Sequence, residues 1–342
     1  MVKTAIIGGS GYTGLELLRL LAGHPAVEVV AITSRQEAGQ KASAVFPSLG
    51  RAIDLSYVLP DDPTIGQAEI VFTALPHQAA MEAVSAAVKS GQRVIDLSAD
   101  FRFRDPAVYE AAYGPHSCPE LSRQAVYGLA EIYREEIKTA QVVGNPGCYP
   151  TCALLPLIPL LKEGLIEAEE IIIDAKSGVS GAGRGLALSS LLAEAGEDVK
   201  AYKVASHRHQ PEIEQELSLA AGQKVSVVFT PHLIPMSRGM LATIYARPKA
   251  SLAAVLDCWR SFYQDSVFIA VLEPGNWPRT VAVRGSNNCH LSAALDKSAG
   301  RLILLSAIDN LTKGASGQAV QCLNLMAGLE ESLGLPRLGL MP

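Results

Sequence analysis

VKTAIIGGSGYTGLELLRLLA, residues Val2–Ala22, is the stretch that decides the fold. Val2–Ile7 reads as a short apolar strand, and the turn after it carries Gly8, Ser10, Gly11, Tyr12, Thr13 and Gly14. An amphipathic helix then runs from about Thr13 to Ala22, with Leu15, Leu17, Leu18, Leu20 and Leu21 on its buried side. Glycines at 8, 11 and 14 permit the sharp turn, the close approach of a pyrophosphate and tight helix–strand packing. A phosphate sits favourably at the helix N-terminus that follows. A glycine pattern alone is weak, but placed between a first strand and a first helix it predicts a dinucleotide site.

The next strand, Val27–Thr33, leads into Thr33-Ser34-Arg35-Gln36. An NAD-selective site usually carries an Asp or Glu there for the ribose 2′-OH. Ser34 and Arg35 instead suit a 2′-phosphate, because a guanidinium binds phosphate oxygens in a fixed fork. The expected cofactor is NADP(H); an ordinary surface arginine is the alternative. Glu69–Leu75 reads as a further strand broken by Pro76-His77, followed by a helix over Gln78–Ser90 and a strand over Arg93–Leu97. Strands alternating with helices imply parallel β-α-β units, and ligands gather outside the carboxyl ends of such strands. Gly8–Gly14, Ser34-Arg35, Leu75–His77, Ser98–Arg104 and Gly144–Tyr149 all fall at those ends, and Pro76 joins the expected cofactor-binding positions.

In QVVGNPGCYPTCALLPLIPLL, Gln141–Leu161, a strand-like run stops at Gly144-Asn145-Pro146-Gly147, and a long apolar segment begins after Pro150. Proline is tolerated in the first turn of a helix, so the reading is strand, tight turn, helix, with Cys148 at the helix start. Amide N–H groups and the helix dipole favour a thiolate there. A small buried hydrophobe is the alternative. Cys148 is expected on the same sheet edge as the cofactor.

Further on, a strand over Glu170–Ala175 leads to Lys176–Gly185, a glycine-rich loop carrying Ser177, Gly178, Gly181 and Arg184. Such a loop can present backbone N–H groups to a ligand, and Ser177, Gly178 and Gly181 are read as cofactor-binding. His207 and His209 flank Arg208 just ahead of Pro211, a helix-start signal. A histidine near Cys148 would hold its thiolate and shuttle protons near neutral pH. No third and fourth ligands stand at metal spacing, so no metal is expected. Strands over Val225–Phe229, Met240–Ala246, Val267–Ala270, Thr280–Arg284, Cys289–Leu295 and Arg301–Ile308, with one helix at Leu252–Tyr263, imply a separate α+β unit. A final helix, about Leu311–Gly328, is expected to pack back on the first domain. The domains are therefore 1–147 with 312–342, and 148–311.

The composition narrows the classes. In 342 residues, hydrophobic types make up 49% and charged types 18%, so the chain is globular. A net charge of -5 argues against a nucleic-acid footprint. The absence of any run of about 20 apolar residues argues against a membrane span. The opening residues do not read as a signal peptide. Six cysteines without a C-x-x-C pair fit a reducing cytoplasm better than a disulfide framework.

IIGGSGYTGLELLRLL, ALPH, DLSADFR, GNPGCYPT, SGVSGAGR, HRHQPEI, FTPHLIPMSRG and NLTKGASGQAVQ occur in this order from Ile6 to Gln321. Together they resemble the N-acetyl-γ-glutamyl-phosphate reductases, enzymes of the third step of arginine biosynthesis. Two departures stand out: His290 where an acidic residue is commoner, and Cys322 where Asn is usual. The resemblance implies an α/β chain with a Rossmann-type NADP-binding domain. It implies a second α+β catalytic and dimerisation domain with a mixed, largely antiparallel sheet, and a homo-oligomer, dimer or tetramer. It also implies NADPH-dependent reduction of an acyl phosphate to an aldehyde, with inorganic phosphate released. A thiolate would expel phosphate and leave a thioester, a better hydride acceptor than the ester a hydroxyl would form; Cys148 is the expected nucleophile. His209 is the expected acid–base partner, with His207 as competitor. Arg102 is the expected phosphate clamp, and Arg208, Arg184 and His207 are candidates for the substrate's other polar groups. Aminoadipyl-phosphate and aspartyl-phosphate reductases are the near alternatives, and a non-catalytic NADP sensor the distant one.

Overall fold

The computed structural model describes residues 1–186, 188 and 191–341. The chain forms two compact units. One holds Met1–Pro146 and Ala315–Leu335, the other Gly147–Gly314 and Pro336–Pro342. The last seven residues thus group with the second unit, where the sequence reading put them with the first.

In the first unit, seven strands form one sheet: β1 (Val2–Ile7), β2 (Val27–Thr33), β3 (Tyr57–Val58), β4 (Ile70–Thr73), β5 (Arg93–Asp96), β6 (Val126–Tyr127) and β7 (Val142–Gly144). Their order is β3-β2-β1-β4-β5-β7-β6 and every pairing is parallel. β1 lies at the switch point of a doubly wound sheet, where its carboxyl end opens to ligands. β4 is buried at every residue, as a strand covered on both faces must be. Ala5, Ile7, Val71 and Val94 pack with Ala80 and Val84 of the Ala80–Lys89 helix. The Gly317–Met326 helix returns to this unit, where Ser316 Oγ donates to the Thr13 carbonyl at 2.8 Å. Asn324 Oδ1 lies 2.9 Å from His24 Nε2 in the same core.

The second unit carries β8 (Ile171–Gly178), β9 (Lys200–Ala201), β10 (Val227–Ile234), β11 (Met240–Ala246), β12 (Ile269–Val271), β13 (Cys289–Asp296) and β14 (Arg301–Ile308). The order is β12-β13-β14-β11-β8-β10-β9, a mixed sheet with four antiparallel and two parallel pairings. Alternation is strict in β11, where Met240, Ala242, Ile244 and Ala246 are fully buried. That face is covered by the Cys148–Lys162 helix, which is itself buried from Tyr149 to Leu161. Pro156 and Pro159 lie inside this helix. Pro159 has no N–H to bond the Leu155 carbonyl four residues back; Tyr263 Oη donates to that carbonyl instead, at 2.6 Å. Trp259 Nε1 donates to the Pro156 carbonyl at 2.9 Å.

Three elements illustrate where the structure differs from the sequence reading. Thr280–Val283 is a single helical turn, not a strand, bounded by Pro278 and by Gly285 at φ +76°. Its β-branched run reads as extended, but β12 takes the available edge of β13. β8 continues through Lys176, Ser177 and Gly178, where a loop was expected, because these residues pair with β10 on one side and Ser177 with β11 on the other. A Cβ on Gly178 would stand 2.8 Å from the Ser237 carbonyl oxygen, so only glycine fits there. Finally, the helix after the histidines begins at His209 itself and runs to Ala221, with Pro211 inside its first turn.

Candidate active site

The glycine turn of the first unit divides its labour. Gly8 has φ +89°, which a side chain rarely adopts, and a Cβ there would meet the Ala74 carbonyl oxygen at 2.7 Å. A Cβ on Gly14 would stand 2.6 Å from the backbone of Gly9, so this glycine serves helix–strand packing. A Cβ on Gly11 would meet nothing within 4 Å. Packing therefore does not demand Gly11; the open space over it suits a pyrophosphate, and no side chain caps the Tyr12–Ala22 helix that begins there. Thr33 ties the end of β2 to this turn, accepting from Gly8 N–H at its Oγ1 (3.1 Å) and from Gly9 N–H at its carbonyl (2.9 Å). Ser34 Oγ donates to Ser10 Oγ at 3.1 Å, joining two of the expected cofactor positions. Arg35 is exposed and lines a cavity of about 640 Å³ together with Ile7, Leu59 and Leu75, a space that fits the adenosine end of a dinucleotide. Pro76 is exposed beside Leu75, and its carbonyl accepts from Ala79 N–H at 3.1 Å.

The loop after β5 is built on two buried carboxylates. Asp96 accepts from Thr73 Oγ1 at 2.5 Å and Ser98 Oγ at 2.6 Å; burial, then the charge of Asp100, pushes it up to about 6. Asp100 accepts from Gln78 N–H at 2.9 Å and Tyr109 Oη at 2.7 Å. Arg102, expected as a phosphate clamp, is 5% exposed. Its Nε donates to the Asn145 carbonyl at 2.7 Å and its Nη2 to the Leu97 carbonyl at 3.0 Å. Gly144 has no room for a Cβ because the Phe101 carbonyl lies against it, so two motifs far apart in sequence form one packed corner.

Four residues after the end of β7, Cys148 opens its 15-residue helix with Gly147 as N-cap and no capping side chain. Gly147 N–H donates to Glu212 Oε1 at 2.9 Å, and Glu212 is fully buried. A Cβ on Gly314 would stand 2.8 Å from Cys148 Cβ, so the backbone at Gly314 runs directly against the thiol-bearing residue. Cys152, one turn on, is fully buried, donates to the Ser306 carbonyl at 3.3 Å and has its thiol pKa pushed up by burial. It is a packing residue.

Tyr149 gathers the histidines. Its ring lies 5.5 Å from that of His207 and 5.9 Å from that of His209, and the two imidazoles are 4.8 Å apart. The Tyr149 hydroxyl donates to the His232 carbonyl at 3.1 Å and accepts from Tyr202 Oη at 3.2 Å. His209 N–H donates to His207 Nδ1 at 3.1 Å. A neutral His207 therefore carries its proton on Nε2. Burial first, then Lys203 and Arg208, pull its pKa down to about 4. Arg208 is exposed at the N-cap of the His209–Ala221 helix.

The glycine-rich segment behaves less like an anion nest than expected. Gly178, Val179 and Ser180 donate their N–H groups to the carbonyls of Gly239, Met236 and Ser237, and Gly183 to that of Ser180. Ser177 is buried and its Oγ donates to the Gly178 carbonyl at 3.1 Å; a Cβ on Gly181 would touch that same Oγ at 3.0 Å. Arg184 follows, exposed. Sequence reasoning missed Tyr149, Tyr202, Glu212 and Gly314 as parts of the site. Glu212 and Gly314 lay within quoted motifs, but nothing local marks a buried carboxylate as the partner of a distant amide. Of the two departures, Cys322 is buried and donates to the Gly128 carbonyl at 3.3 Å, and His290 lies half-buried on β13. Among the described residues no helix is long and apolar enough to cross a membrane.

Two family models match this chain: the semialdehyde dehydrogenase NAD binding domain over residues 3–140 and the semialdehyde dehydrogenase dimerisation domain over residues 148–310. Among solved structures, aspartate semialdehyde dehydrogenase II of Vibrio cholerae is similar with a TM-score of 0.75 at 16% identity, covering 96% of this chain and 98% of that one. The Candida albicans aspartate semialdehyde dehydrogenase has a TM-score of 0.70 at 16% identity, over 96% and 99% of the two chains. At that identity the likeness concerns the fold. Sequence relatives are nearer. The N-acetyl-γ-glutamyl-phosphate reductases of Geobacter metallireducens and Moorella thermoacetica are 54% and 53% identical, each over 100% of both chains. That of Geotalea daltonii is 52% identical, again over 100% of both. The chain belongs to the N-acetyl-γ-glutamyl-phosphate reductase family, with a nicotinamide-dinucleotide domain and a dimerisation domain of the semialdehyde dehydrogenase type.

Proposed function

We propose that this chain reduces N-acetyl-γ-glutamyl phosphate to N-acetylglutamate 5-semialdehyde with NADPH, releasing inorganic phosphate, through a thioester on Cys148. The observation that carries this reading is the start of the Cys148–Lys162 helix, where an uncapped N-terminus bears a thiol followed by a tyrosine ring against two imidazoles. The thiolate form of Cys148 attacks the acyl carbonyl, the carbon–oxygen bond to phosphate breaks, and phosphate leaves with the electron pair. His209 carries the proton. It holds the thiolate as an imidazolium, protonates the former carbonyl oxygen as that carbon is reduced, and takes the proton back as the carbon–sulfur bond breaks, its electron pair returning to Cys148 and the aldehyde leaving. Its neighbour His207 stays neutral, with Nδ1 occupied by the His209 amide, and donates from Nε2 to the substrate. Arg208 and Arg184 serve the substrate's anionic groups, while Arg102 and Glu212 position the turns on which the chemistry depends.

Gly8, Ser10, Gly11, Tyr12, Thr13 and Gly14 hold the pyrophosphate, Ser34 and Arg35 the 2′-phosphate, and Pro76, Ser177, Gly178 and Gly181 border the remainder. Bound NADPH supplies the hydride. The protein works as a homo-oligomer in the cytoplasm. The support for assembly is the face of the second sheet opposite the Cys148–Lys162 helix: Val228 and Ile172, neighbours across β10 and β8, are 59% and 38% exposed. The test is phosphate-dependent reduction of NADP with N-acetylglutamate semialdehyde. Activity should vanish after alkylation of Cys148, and Arg35→Ala should erase the preference for NADP over NAD. Full activity after stoichiometric alkylation would rule the reading out.

A further inference from the structure

After β14, Thr312–Ser316 form a π-helical turn, in which Gly314 N–H donates at 2.9 Å to the Asp309 carbonyl five residues back. Single π-helical turns are uncommon and recur at functional sites. This one lies against the thiol-bearing residue. A Cβ on Gly314 would stand 2.8 Å from Cys148 Cβ and 3.2 Å from Cys148 Cα, so main chain walls one side of Cys148.

The turn is anchored by a buried carboxylate. Asp309 is fully buried and meets two donors at each oxygen. Its Oδ1 accepts from Leu311 N–H at 2.8 Å and from Thr312 N–H at 2.9 Å, capping the π-turn from within as an aspartate caps a helix. Its Oδ2 accepts from Gly285 N–H at 2.7 Å and lies 3.4 Å from Arg238 Nε, tying the turn to two segments remote in sequence. Asn310 adds a further tie, its Oδ1 accepting from Gly239 N–H at 2.7 Å. Two motifs that the proposed reaction leaves without a task, FTPHLIPMSRG and NLTKGASGQAVQ, thus meet at one side chain. Buried amides that lose such an acceptor are costly to leave unpaired, so the turn has little freedom to move.

We propose that Asp309 is a positioning residue for Cys148: by clamping the π-turn it holds the Gly314 main chain against the thiol-bearing carbon and fixes the line along which sulfur meets the acyl carbonyl. The inference rests on the reaction proposed above and supplies the geometry of its first step. In that step the sulfur–carbon bond forms, the carbon–oxygen bond to phosphate breaks and the electron pair leaves with phosphate; Asp309 transfers no proton. Such a displacement needs its reacting atoms about 3–3.5 Å apart and aligned, and a shift of about 1 Å can cost 100-fold in rate.

The experiment compares two reactions of the same thiol. One is the single-turnover release of phosphate from N-acetyl-γ-glutamyl phosphate without cofactor, which demands alignment. The other is alkylation by iodoacetamide, a small reagent that needs the thiolate but no fixed approach. Asp309→Asn keeps an oxygen for Leu311 and Thr312 but sets an amide against Gly285 N–H and Arg238. Its phosphate release should slow at least about 30-fold, while alkylation stays within about threefold of wild type. Gly314→Ala, which pushes on Cys148 directly, should give the same split, and it carries the test if Asp309→Asn fails to fold. Phosphate release at the wild-type rate in either folded variant overturns the proposal. So does a parallel fall of both reactions in the two variants, which would mark a changed thiol rather than a misplaced one. Wild-type protein that releases no phosphate overturns the underlying reaction, and with it the role built on it.

Discussion

His207 and His209 illustrate how one local contact separates chemically similar residues. His207 gives Nδ1 to a backbone amide and is kept neutral by burial and two cations, so it cannot serve as the imidazolium near pH 7. His209→Asn should therefore lower kcat by at least about 100-fold, the usual scale of general acid–base help, and remove the near-neutral limb of its pH profile. His207→Gln should raise KM while leaving that limb in place, because a group titrating at about 4 contributes nothing to it. The sign for stability follows from the same shift. With its folded pKa below the ordinary 6.5, His207 contributes stability above that value that is lost as pH falls through about 4. The acid side of the unfolding profile should flatten in His207→Gln, as read by urea midpoints at successive pH values. A matching loss of the kinetic limb in both variants would contradict the division of roles.

The Cys148–Lys162 helix carries the thiol into the core past two prolines, and its integrity depends on a neighbour. Tyr263→Phe keeps the ring but strands the Leu155 carbonyl, a loss of about 1–3 kcal/mol for a buried acceptor left unbonded, measurable by urea denaturation. An unchanged midpoint would mean that the helix satisfies this carbonyl elsewhere. Elements of this kind were legible where period and punctuation agree. β1 with its glycine turn and β11, β13 and β14 stand within a residue of their sequence-based bounds. Thr280–Val283 was not, since β-branched residues suit a strand only where an edge is available. Ser177 and Gly178 were misread as loop because glycine there answers a close backbone approach from Ser237, a contact without local signature. Arg102 and Glu212 show the same limit within the site. Their residue types announce anions or acid–base work, yet each also bonds a main-chain group far away in sequence. The helix start at Cys148 was legible because its signal, a turn of Gly and Pro followed by a long apolar run, is local.

As a whole, the molecule combines a parallel nucleotide-binding sheet with a mixed sheet that buries one face and leaves the other half-open. Val228→Glu, on that open face, should shift the oligomer towards monomer in analytical ultracentrifugation while leaving the monomer folded; an unchanged mass would place the interface elsewhere. The two motif-bearing units serve a single reaction only if Cys148 accepts the acyl group. The direct measurement is intact-protein mass spectrometry after mixing the protein with N-acetyl-γ-glutamyl phosphate without cofactor. One equivalent of phosphate should be released, with a mass gain of one N-acetylglutamyl group that maps to Cys148, is labile to hydroxylamine and is absent from Cys148→Ser. Phosphate release with no adduct, or an adduct that persists in Cys148→Ser, would contradict it.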